Sequence, residues 1–156
     1  MVGLARGPDV PAIVADLLLV PRKLASAVLE RWLATRPGAR ALSHFEAAID
    51  ALATLVDADA DAAAIAEADV EIVARLVHAT KSPVLELCFN PIVAVLRKLP
   101  ALRDAMYAAP NENVLGPRAL ASWLRARDAS TLPLALAELE RRDAATVARL
   151  RRRGPA

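Results

Sequence analysis

Residues Ala66–Leu99, AEADVEIVARLVHATKSPVLELCFNPIVAVLRKL, decide the fold. Just before and within them, Ile65, Ile72, Val73, Leu76 and Val77 recur at the three-, four- and seven-residue spacing that gathers side chains on one face of a helix. Asp69 lies on the same face, so this helix carries a carboxylate toward its own core. Lys81-Ser82-Pro83 then reads as a tight turn, with Ser82 as cap and Pro83 at the first position of a second helix. That helix is expected from about Val84 to Ala108. Pro91 and Pro100 predict kinks or a split, because proline lacks an amide donor and clashes with the preceding turn.

Working outward, helical periodicity continues on both sides. Upstream, Pro11 opens a helix whose stripe is Ile13, Val14, Leu17 and Leu18; it resumes after Pro21 as Leu24, Val28, Leu29 and Leu33, with a kink or break expected at Pro21. Trp32 is placed at an end of the bundle. Residues 39–57 form the next helix, with Leu42, Phe45, Ile49, Leu52 and Val56 inward, and the acidic run from Asp57 to Asp61 suits the start of the helix that follows. Downstream, residues 110–113 read as a loop, and helices are expected over about 117–127 and 132–151. Residues 1–9 are expected to be a flexible leader and residues 10–153 one helical domain. Short connections favour antiparallel neighbours, so the fold class is all-α, an antiparallel bundle of six or seven helices.

Composition supports that class. The chain has 156 residues, five glycines and five aromatic residues, and no run of alternating β-branched and aromatic side chains that would suggest a strand. A net charge of +2 is too small for the footprint of an autonomous DNA-binding domain. The most apolar run, AIVADLLLV, falls short of the roughly 20 residues needed to cross a bilayer. No membrane association is expected. A single cysteine, Cys88, fits a reducing cytoplasm and is read as a core thiol. Arg141, Arg142 and the terminal RLRRR are read as a solvated basic end. No nucleophile–base arrangement, phosphate loop or close pair of carboxylates on one apolar face is present, so no enzyme is expected.

An Asp inside a helix, the segment ATKSPVLEL and a second helix containing Asn90-Pro91 together resemble the FCD domain, the effector-sensing C-terminal half of FadR-type GntR transcription regulators. The likeness continues in register through LLLVPRKLASAVL upstream and YAAP and RALASWLRARD downstream, covering roughly residues 10–140. It implies a homodimer and a small-molecule effector inside an FCD-like bundle. It also implies DNA contact only through a winged-helix domain, which is not present in this chain.

Most such domains are known for a metal held by one Asp and three His. Asp69 matches that Asp and is the only family metal-ligand position retained. Val73 stands where the first His would be, Pro117 where the next is usual, and Leu and Glu around 136–140 where the third is expected. His44 and His78 fall outside the pattern, and His78 lies on the side of its helix opposite Asp69. Neither a metal nor another cofactor is expected.

A buried carboxylate without a metal must meet a donor, reach water or take up a proton. Arg22, Arg97, Arg118 and Arg125 are candidate partners for Asp69. Two readings stay open: an Asp–Arg pair locking the bundle, or a polar wall of an effector cavity. The stretch LLLVPRKLASAVL is closer to the FadR branch, whose metal-free bundle holds an acyl-CoA, than to the carboxylate-sensing branch. The pocket candidates are Asp69, Val73, Leu76, Arg22, Asn90 and Trp123, with Leu87 and Phe89 as possible apolar lining. The alternative is a ligand-free helical dimerisation or interaction module derived from such a domain.

Overall fold

The computed structural model describes residues 10–153; the expected leader, residues 1–9, lies outside them. Seven α-helices follow one another among the described residues: α1 Val10–Thr35, α2 Ala39–Asp57, α3 Ala62–Ala79, α4 Pro83–Lys98, α5 Pro100–Met106, α6 Pro110–Ala126 and α7 Leu132–Arg153. A 3-10 turn, Ala129–Thr131, precedes α7. No strand occurs among them, and none of these helices is long and apolar enough to cross a membrane.

The helix starts follow local chemistry. Asp61 accepts a bond from the Ala64 amide at 2.8 Å and caps α3; Ser82 does the same for the Leu85 amide at 3.4 Å and caps α4. Lys81, with φ of 52°, supplies the left-handed residue that lets the chain reverse between α3 and α4.

The prolines behave unequally. Pro21 lies inside an α1 that runs unbroken for 26 residues, so of the kink or break expected there the break is absent. The reason is tertiary. Val14 and Leu18, before the proline, anchor in one apolar cluster, and Val28, Leu29 and Trp32, after it, anchor in another, which holds both halves in one helical path. Pro91 and Pro117 are also interior to their helices. The expected long helix after Pro83 divides only at Leu99, whose φ of −119° and ψ of 79° leave the helical region, as a residue preceding proline favours. Residues 110–113, expected as a loop, form the first turn of α6. Pro110 stands at its start and Glu112 in its first turn, both favourable there.

Two cores result. The larger joins the C-terminal half of α1 with α2, α3 and α6 around Phe45, Leu52, Leu29, Ile49 and Leu124. Trp32 is part of it, 6.4 Å from the Phe45 ring between centroids, rather than at an end of the bundle. The smaller joins α1, α5 and α7 through Val14, Leu18, Leu102, Ala105, Val147 and Leu150. Phe45 is fully buried. Phe45→Ala is expected to destabilise the fold by about 3–5 kcal/mol, whereas Leu134→Ala, at an exposed position, should stay within about 0.5 kcal/mol. Urea midpoints at neutral pH check both.

Candidate functional site

Asp69 stands midway along α3, on the face that buries Ile65, Ile72 and Leu76. Its partner is none of the four arginines expected. The Tyr107 hydroxyl, just past the end of α5, donates to Asp69 Oδ2 at 2.8 Å, and that tyrosine is itself buried. A positive charge comes from Arg142 of α7. Oriented so that both its bonds are made, the buried Asn113 of α6 accepts from Arg142 Nη2 at 3.0 Å and donates to the Ala109 carbonyl at 3.1 Å. One turn along α6, a Cβ placed on Gly116 would come within 2.8 Å of Arg142 Nη1. The missing side chain makes room for the guanidinium. Four helices, α3, α5, α6 and α7, thus converge on one internal polar cluster.

The protonation logic of the cluster is one-sided. Burial pushes the Asp69 carboxyl above the usual carboxylate range, and this outweighs the opposing pull of the Tyr107 bond and of the Arg142 charge. Burial, the Asp69 charge and the shared bond together push the Tyr107 phenol far above its ordinary value. The phenol therefore keeps its proton and donates, while Asp69 accepts.

The expected arginine partners are engaged elsewhere. Arg22 reaches from α1 to Glu140 at 2.9 Å and Asp143 at 3.3 Å on α7. Arg97 grips Glu67 through two bonds of 2.8 and 2.7 Å. Arg125 pairs with Glu46, and Arg118 lies 4.0 Å from Asp50.

The other pocket candidates do not gather around Asp69. Leu76 is core, and Val73 is half-buried against it. Trp123 closes the end of α6 by donating from Nε1 to the Asp128 carbonyl at 2.9 Å. Asn90 faces outward on α4, as do Leu87 and Cys88. The thiol expected in the core is on the surface.

Tyr107 and Asn113 were not among the expected site residues, and Arg142 was expected only in a solvated basic end. A signal for Arg142 existed: it lies four and eight residues before Thr146 and Leu150, both buried, so it shares the inner face of α7 rather than belonging to a solvated basic end. Among the described residues, no three His, Cys, Asp or Glu side chains gather as a metal site.

Two clefts open between the helices, and one of them reaches the cluster at Tyr107. One, about 270 Å³, lies between α1 and α7 and includes Arg22, Glu140, Asp143, Val147 and Arg151. The other, about 170 Å³, lies among α3, α4 and α5, and Tyr107 forms part of its wall beside Glu67, Arg97 and Arg103. Asp69 lines neither.

Removing the phenol leaves a desolvated carboxylate without its donor. Tyr107→Phe is expected to cost about 1.5–3 kcal/mol, read from urea midpoints at pH 7. Two raised carboxyls also set a pH dependence. Asp69 is raised, and burial brings Asp143 to about 6 against the opposing Arg22 charge. Each binds its proton more tightly in the folded state. Their stabilising contribution is therefore complete below the unfolded value of about 4 and is lost as pH rises through the folded one. Asp143→Asn should flatten the stability profile between about pH 4 and 6, and Asp69→Asn should remove a further part of the decline, both by urea midpoint against pH.

Comparisons with protein-family models, with curated proteins and with solved structures give no match.

Proposed function

We propose that this chain is the effector-sensing and dimerising domain of a FadR-type GntR transcription regulator, one whose metal position has been taken over by the protein's own side chains. The observation that carries the reading is the cluster around Asp69. The resemblance assigns the family's metal ligands to the Asp69 helix, the helix of Pro117 and the last helix. Asp69, the Asn113–Gly116 turn and Arg142 come from those same elements: Asn113 and Gly116 seat the Arg142 guanidinium, and its charge acts on the Asp69 carboxylate that Tyr107 bonds. The guanidinium supplies beside Asp69 the positive charge that a metal ion supplies in such a domain, without its ligands.

Within this reading the effector is a small organic molecule, an acyl-CoA or a carboxylate. It acts on DNA only by way of a winged-helix domain. Its leverage is limited to its difference in affinity between the two arrangements of the bundle. The clefts beside Arg22 and Tyr107 offer it polar anchors next to apolar walls. A cytoplasmic setting follows from the same reading.

A second reading is favoured by one observation: Asp69 is packed against Tyr107 and lines neither cleft. On that reading the bundle is a filled, ligand-free interaction module.

Native mass spectrometry and thermal melting, with and without long-chain acyl-CoA and small dicarboxylates, separate the two. The sensor reading expects a stoichiometric adduct and stabilisation of about 2.7 kcal/mol with ligand at a hundred times its Kd. The absence of any adduct or shift across both ligand classes supports the module instead.

A further inference from the structure

Helix α4 is apolar on two sides. Inward, Leu85 and Phe89 pack on the larger core and Leu96 on the smaller. Outward, Val84 is 67% exposed and Leu87 70% exposed, and Cys88, Pro91, Ala94 and Val95 are exposed with them. Turning 100° per residue, apolar side chains from Val84 to Leu96 cover roughly 260° of the helix circumference, with Lys98 in the last turn the one charge inside that arc, and a surface helix ordinarily keeps its outer half polar. The exposed residues also repeat every seven positions: Val84 and Pro91, Leu87 and Ala94, Cys88 and Val95. That period is the seam of a helix which packs lengthwise on another helix.

We infer that the outer face of α4 is an interface with a second copy of this chain, the two α4 helices pairing antiparallel about a twofold axis near Pro91. Charge selects this occupant and this direction. Glu86, Asn90 and Arg97 fall on one line beside the stripe, acidic toward the N-terminal end and basic toward the C-terminal end. A twofold axis perpendicular to the paired helices brings both lines to the same side of the seam, running in opposite directions. Glu86 of each copy then meets Arg97 of the other, and the helix dipoles oppose favourably. Arg97 is already held by Glu67 through two N–H groups, which leaves three of its five donors for this contact.

A seam of this length lies at the small end of specific interfaces, so association is weak and depends on concentration. The inference extends the regulatory reading by naming the face through which two copies meet. Its test needs no effector, so its failure and that of the effector reading are separate results.

Sedimentation of the full chain from about 1 to about 200 μM should show a monomer–dimer equilibrium. Leu87→Glu should weaken it about tenfold or more. Leu134→Glu, at a residue equally exposed at 70% but on α7, should leave it unchanged. Glu86→Arg should weaken dimerisation, and adding Arg97→Glu should restore part of the loss. Circular dichroism of each variant checks that the bundle is intact. In the dimer Cys88 should react with a maleimide more slowly than in Leu87→Glu. Wild-type protein that stays monomeric throughout the range overturns the inference, as does a dimer that Leu87→Glu leaves intact.

Discussion

The bond from Tyr107 to Asp69 is the constraint on which the interior of the bundle depends. A carboxylate on the inner face of α3 is held only if other helices deliver a donor and a compensating charge. Tyr107 is delivered because the chain leaves the helical region at Leu99 and begins again as α5, whose end carries the phenol to α3. Arg142 is delivered because α6 carries an asparagine at 113 and a glycine at 116, one to bond the guanidinium and one to leave it room. The polar cluster therefore specifies how α3, α5, α6 and α7 are arranged, which an apolar core of interchangeable Leu, Ile and Val side chains does less selectively.

Around that cluster the electrostatics are graded by depth. Near the surface, Glu67 is held below the usual carboxylate range by Arg97 and Glu138 by Arg141, as exposed carboxylates with good partners are. Deeper, Asp143 and Asp69 are raised even though arginines stand nearby, because loss of water outweighs the partner's charge. The same residue types, arginine and carboxylate, thus fasten the outside of the bundle and place proton-sensitive groups within it.

The prolines show how far local rules extend. Proline at the first turn of α4, α5 and α6 acts with its fixed φ and missing amide, and the helices begin there. Proline inside α1, α4 and α6 acts against its local preference, and the helices continue. Whether a proline starts a helix, bends it or is overridden depends on what the flanking turns can bury, as the two separate anchorages of α1 illustrate.

The sequence by itself determined the helical class, the extents of α2 and most of α3, the cap at Ser82, the acidic start of α3, and the inward position of Phe45, Ile49, Leu52 and Asp69. All of these follow from spacing along one helix and from the chemistry of the first turn, which are local properties. Only the tertiary structure decided which side chain meets Asp69. Tyr107 and Arg142 lie 38 and 73 residues farther along the chain, and no spacing rule connects residues on different helices. It also decided that Cys88, Leu87 and Asn90 face outward. Apolar residues occupy two sides of α4, so periodicity alone assigns the core to either of them. Burial against α1 and α3 was what chose the inner one.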